Sequence, residues 1–187
     1  AVQSLLDAGS AGFVGLDNYI RIFTQPDLVV VLRNTLLWVV ITPILSTAIG
    51  LVYAVLVDRS RFEAFAKALI FLPMAISFVG AAIIWKFVYA YRPDQQNIQQ
   101  IGLLNQFLVW LGFEPVNLIL AEPWNNLLLI VVMIWIQAGF AMTVLSAAIK
   151  AIPSDIIEAA RLDGVGGLRL FFYITLPSIR PAVVVVV

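Results

Sequence analysis

The sequence NLLLIVVMIWIQAGFAMTVLSAA, residues 126–148, runs for 23 residues without a charged side chain. A helix of this length covers about 35 Å, which exceeds the roughly 30 Å of hydrocarbon in a bilayer. Apolar runs in the buried helices of soluble proteins are usually shorter, at about 10–14 residues. The stretch therefore predicts a transmembrane helix, and it decides the fold class.

Two further stretches, 34–57 and 68–90, have the same character, and the only charge inside them is Lys86. The whole chain is 62% hydrophobic and 12% charged, whereas a soluble domain is about half apolar and a quarter charged. We predict an all-α membrane protein that forms a single transmembrane domain over 1–187, with three complete spans. The apolar run 181–187 is too short to cross a bilayer, so we interpret it as the start of a truncated fourth span.

Proline and small residues punctuate the predicted spans. Pro43 and Pro73 each remove a backbone hydrogen bond and are expected to kink their helices. Ser46, Gly50 and Ala54 lie four residues apart and so share one helix face. Such a face allows a neighbouring helix to approach closely, either to line a transport pathway or simply to pack a bundle.

Basic residues predict the orientation, because cytoplasmic loops of membrane proteins are enriched in lysine and arginine. The segments 58–67 and 149–180 carry seven of them against four elsewhere, so we predict that both segments are cytoplasmic and that 1–34 and 90–126 are external. The seven are Arg59, Arg61, Lys67, Lys150, Arg161, Arg169 and Arg180.

Composition also excludes several kinds of function. The chain has no cysteine and no histidine, and its formal net charge is zero. The usual nucleophiles, general bases and metal ligands are therefore lacking, so we expect no catalytic residue, no metal site and no nucleic-acid partner. A nucleotide site would need a glycine-rich loop with a lysine, and the sequence has none.

The segment between the third span and the truncated one is the most informative. Pro153 and Ser154 precede Asp155, which is expected to cap a helix, with Glu158 reciprocating three residues later. Gly164 is placed to end that helix in a left-handed conformation. A second short apolar stretch follows, so the segment predicts a helix–turn–helix on the cytoplasmic surface.

The pattern of this segment resembles the "EAA" loop of permeases in binding-protein-dependent ABC importers. The family pattern is Glu-Ala-Ala, three residues, Gly, nine residues, then Ile-x-Leu-Pro. The same spacing occurs within 150–177, where the matching residues are Glu158, Ala159, Ala160, Gly164, Ile174, Leu176 and Pro177.

Other segments are similar to carbohydrate permeases of the maltose and α-glucoside type. The segments 13–19 and 33–35 resemble the opening of the maltose type. The segments 124–126, 134–140 and 146–150 resemble α-glucoside permeases. The resemblance implies a type I ABC importer transmembrane domain of six or more spans in a prokaryotic inner membrane, with one span before residue 1 and two from Pro181 onward.

The resemblance further implies a sugar importer with several partners. These are a second permease subunit, two cytoplasmic ATPases that dock on the EAA loops, an extracytoplasmic solute-binding protein and the lipid bilayer. No cofactor is expected on this chain, because ATP and magnesium belong to the partner ATPase. In this reading the chain is a transport subunit rather than an enzyme.

Residues that contact the sugar are harder to predict. A neutral sugar needs aromatic faces and hydrogen-bonding groups, and Gln137 is the only carboxamide deep within a span, with Trp135 and Phe140 nearby. An interhelical hydrogen bond from Gln137 is an equal alternative. Permeases for amino acids, peptides or anions, secondary transporters, membrane enzymes and structural anchors are the rival functions.

Overall fold

The computed structural model describes residues 16–58, 60–93 and 101–187, and in these ranges every regular element is helical. By contacts the chain divides into two compact units, 1–39 and 40–187. Unit 1 holds helix α1 (Asp17–Thr24) and the first turns of helix α2 (Pro26–Val57). Helix α2 begins eight residues before the predicted span at 34, with proline at its first position and Asp27 in its first turn, where both are favourable.

Unit 2 contains the rest of α2 and the remaining helices. These are α3 (Glu63–Ala75), α4 (Phe78–Val88), α5 (Leu103–Trp110), α6 (Trp124–Lys150), α7 (Ser154–Leu162), α8 (Gly167–Leu170), α9 (Leu176–Ser178) and α10 (Arg180–Val186), with a π-helical turn at Phe171–Thr175 between α8 and α9.

Helices α2 and α6 are each long and apolar enough to cross a membrane. Their bounds contain the first and third predicted spans. In unit 2 they pack through small residues, because Gly50 is so close to α6 that an added Cβ would lie 2.5 Å from the Cβ of Ala141. Ser46 and Ala54 on the same face are also buried, so this predicted small-residue face is a helix–helix contact.

The second predicted span, 68–90, is not a single helix. Helices α3 and α4 meet at an angle of 100°, far more than the proline kink that Pro73 predicts. Ile76 and Ser77 between them are both extended, and the Ser77 hydroxyl accepts a hydrogen bond from the Gly80 amide at 3.1 Å. Ser77 therefore caps a new helix, and the two helices form either a broken span or a re-entrant loop.

The carboxyl-terminal part of the chain is also helical, with a bend before its last helix. Helix α10 covers residues 181–186 of the apolar run 181–187, and it is bent by 67° from the Gly167–Ser178 segment that precedes it. The described residues thus provide two helices that are long and apolar enough to cross a membrane, or up to four such segments if each bent pair is counted as one. The core of unit 2 is formed by Ala54, Met142, Leu145 and Ile179.

Candidate functional site

Helix α7 carries the Glu-Ala-Ala sequence. It begins at Ser154 directly after the extended Pro153, and no side chain caps it. The capping box expected from Asp155 and Glu158 is therefore wrong, because Asp155 already lies inside the first turn and accepts from the Ser154 hydroxyl at 3.4 Å instead.

The three motif residues of α7 differ in exposure. Ala160 is only 6% exposed, whereas Glu158 and Ala159 are exposed. A partner that docks on α7 would therefore meet the side chains of Glu158 and Ala159, while Ala160 faces the rest of this chain.

Gly164 ends α7 as the sequence predicts. Its φ is +75°, in the left-handed region that residues with a Cβ rarely adopt. The Gly164 amide donates to the Arg161 carbonyl and the Val165 amide to the Ala160 carbonyl, both at 3.0 Å. These two bonds define a Schellman motif, so the turn after α7 has a fixed geometry.

The second half of the loop returns to the core. Leu176 packs against the core of unit 2, and Ile179, 2% exposed, is part of that core. Ile174 is half-buried and Pro177 is exposed. Because Ile149 and Ile152 pack on the same core before α7 begins, both ends of the loop are anchored, while most of the side chains between them are exposed.

Three large side chains of the loop are exposed. Leu162 and Tyr173 are 89% and 79% exposed, and Leu168 is 78% exposed.

The three predicted sugar contacts all lie on α6, in different surroundings. Trp135 lies edge-on to Trp85 at a ring-centroid distance of 5.5 Å, so it belongs to the contact between α4 and α6. Phe140 is 40% exposed and Gln137 is half-buried. Tyr89 extends the aromatic contact, at 5.0 Å from Trp85.

A polar cluster near the predicted cytoplasmic end of the helices escaped the sequence analysis. The Lys67 ammonium contacts Asp58 at 2.7 Å, Glu63 at 2.8 Å and the Ser146 hydroxyl at 2.5 Å. The Ser146 hydroxyl donates to Asp58 at 2.7 Å, and Lys150 pairs with Glu63. The spacing of Glu63 and Lys67 was the only sequence signal of this cluster, since four residues bring side chains together on a helix.

The comparisons with known proteins complete this description. Residues 46–187 match the family described as binding-protein-dependent transport system inner membrane component. The chain belongs to this family. This match confirms the family membership that the EAA-loop resemblance predicts. The chain is therefore an integral membrane component of a transport system.

Two relatives agree with this membership. The chain is 53% identical to the osmoprotective compounds uptake permease protein GgtC of Synechocystis sp. over 98% of this chain and 65% of the relative. It is 49% identical to the alpha-glucoside transport system permease protein AglF of Rhizobium meliloti, over 98% of this chain and 54% of that protein. The chain thus spans less than two thirds of these relatives.

A solved structure confirms the fold class. A bacterial ABC transporter involved in the import of the acidic polysaccharide alginate contains a chain that matches 98% of this one, with a TM-score of 0.78. The match covers 63% of that chain at 24% sequence identity, so it bears on fold alone. The all-α fold of an ABC importer permease is therefore established for the described residues.

Proposed function

We propose that this chain is a pathway subunit of an ATP-driven sugar importer, with an α-glucoside or an oligosaccharide as solute. The observation that carries the proposal is the loop 150–177, whose two ends are fixed on the core while most of its other side chains are exposed. A loop that is anchored at both ends and exposed between them is suited to receive force from a partner and pass it to the spans.

The loop would couple the spans to two ATPases. Ala159 offers a low surface for docking and Glu158 an exposed carboxylate for one directional contact, while Ile174, Leu176 and Pro177 return the loop to the core. Gly164 fixes the turn between the two parts. ATP and magnesium would bind the ATPases, so hydrolysis takes place on separate chains and the present chain does no chemistry.

The remaining partners follow from the same scheme. A second permease subunit would complete the pathway, and an extracytoplasmic solute-binding protein would deliver the sugar. This arrangement places the chain in a prokaryotic inner membrane with 58–67 and 149–180 on the cytoplasmic side. Within the spans, Gln137, Trp135 and Phe140 are the side chains proposed to meet the sugar.

The solute has one specific alternative. The relative at 53% identity is named for osmoprotective compounds, and the one at 49% for alpha-glucosides. No acid lies within 34–57, 68–90 or 126–148. A secondary carrier would need such acids for its coupling ion, and family membership also argues against it.

Transport by the reconstituted complex tests the proposal. The full-length permease, its partner permease and the ATPases are reconstituted in proteoliposomes. ATP is enclosed in the lumen, and the binding protein and the solute are added outside. Uptake of a labelled α-glucoside that depends on ATP and on the binding protein is the expected result. ATP-dependent uptake of a small osmoprotective solute but no glucoside would select the alternative, and uptake without ATP would refute the importer.

A further inference from the structure

The polar cluster of Asp58, Glu63, Lys67, Ser146 and Lys150 lies where three helices end or begin. Asp58 follows the last turn of α2, Glu63 opens α3, and Ser146 and Lys150 belong to the last two turns of α6. Only three residues separate Lys150 from the start of α7. The cluster therefore connects the start of the loop 150–177 to the turn between α2 and α3.

The members of the cluster are joined by short ion pairs and hydrogen bonds. A lysine ammonium has three donors, and Lys67 directs them to Asp58, Glu63 and Ser146. Ser146 is 2% exposed; its hydroxyl accepts from Lys67 and donates to Asp58. Two acids balance two lysines, so the cluster holds the helices together without a net charge near the membrane.

Asp58 depends on these partners. Its side chain is only 12% exposed, and its second carboxylate oxygen is buried without a hydrogen-bond partner among the described residues. A buried carboxylate is unfavourable unless it is paired. Asp58 is therefore held to Lys67 and Ser146, and a shift of α6 relative to α2 would have to carry α3 with it or break these bonds.

The cluster also adjoins the apolar anchor of the loop. Ala54, one turn before Asp58, and Leu145, next to Ser146, both belong to the core that receives Ile179 from beyond the loop. The loop is thus fixed by apolar contacts on one side and by the polar cluster on the other.

We propose that Ser146 and Lys150 are positioning residues for transport, which lock α6 to the α2–α3 turn so that a displacement of the loop moves both together. The inference rests on the proposed function, because it assigns a role within ATP-driven transport. It predicts that releasing α6 from the turn uncouples ATP hydrolysis from transport.

The test uses the double variant S146A/K150M in the full-length, reconstituted complex. These changes remove the polar bonds between α6 and the α2–α3 turn but leave the Lys67 pairs with Asp58 and Glu63 in place. The matched control is T143A/K86M, which also removes one hydroxyl and one lysine: Thr143 is exposed on α6, bonds only within its own helix, and Lys86 is exposed on α4. K150R, which keeps the charge, should behave as the wild type does.

The decisive measurement is the number of ATP molecules hydrolysed per solute transported. We expect S146A/K150M to raise this ratio by about threefold or more, in the range by which substitutions alter coupling between sites, while the control leaves it unchanged. An unchanged ratio in S146A/K150M overturns the inference but not the importer. If the wild-type complex shows no ATP-dependent transport, the proposed function falls and this inference with it.

A second readout separates positioning from folding. Spin labels on cysteines introduced at Ser60 and Ser154, both exposed, report the distance between the α2–α3 turn and the loop. In the wild type a non-hydrolysable ATP analogue should leave this distance unchanged, and in S146A/K150M it should change it. If the double variant fails to assemble, S146A alone is compared with T143A. Equal spin-label distances and equal numbers of ATP molecules hydrolysed per solute in the two variants would refute the inference.

Discussion

Replacement of Gly164 tests whether the turn after α7 must be rigid for coupling. An added Cβ at Gly164 meets no atom within 4 Å, so Gly164→Ala introduces no clash and its cost is conformational. At φ +75° that cost is about 1–2 kcal/mol, which changes the ratio of formed to open turn by a factor of about 5–30. Gly164→Val should cost more, because a β-branched residue resists positive φ more strongly.

The assay is binding-protein-stimulated ATP hydrolysis and solute uptake by the reconstituted complex. We expect Gly164→Ala to lower both, because ATPases would meet a loop that no longer holds one geometry. Gly112→Ala is the matched control, since Gly112 has φ +83° and equally open surroundings but lies outside the loop. The two variants should lose similar stability, and only Gly164→Ala should lose transport. Full activity in Gly164→Val would refute the reasoning.

Two further substitutions test the packing of unit 2. Gly50→Ala places a Cβ 2.5 Å from that of Ala141, and such overpacking costs about 1–3 kcal/mol. The thermal unfolding temperature of the detergent-solubilised protein should therefore fall. An unchanged unfolding temperature would contradict the close contact between α2 and α6. Asn105→Leu removes the side chain that donates to the Ala90 carbonyl at 2.8 Å and accepts from the Val116 amide at 2.9 Å. With both backbone groups left unpaired, we expect a loss of about 1–3 kcal/mol and faster cleavage of the predicted external segment 90–126 by added protease, and an unchanged cleavage rate would contradict the role of Asn105.

Much of the fold could be predicted from the sequence, because a bilayer selects helices by length and apolarity alone. The first and third spans follow from such runs. The break at Ile76 and Ser77 was not predicted, although the Ser77 cap is a local hydrogen bond with the Gly80 amide of the kind that a serine before an apolar run can signal. Pro73 signals a disturbance but not its size.

The candidate site likewise has parts that the sequence predicts and parts that it does not. Gly164 was predictable because a left-handed helix end strongly favours glycine. The capping box failed because Pro153 occupies the N-cap position of α7. Asp155 lies two residues later, inside the first turn. Ser146 and Lys150 lie 79 and 87 residues from their partners Lys67 and Glu63, and no local pattern reports contacts over such separations.

The most direct test of the account is a crosslink between the loop and an ATPase. The chain has no cysteine, so a single cysteine at Ala159, which is exposed where Ala160 is buried, provides a unique site, and Thr24→Cys on α1 serves as a control outside the loop. With the full-length complex in membranes, the account predicts a crosslink from position 159 to the ATPase whose yield changes with ATP. Equal absence of crosslinks at 159 and 24, in a complex that has assembled, would contradict the coupling role of the loop.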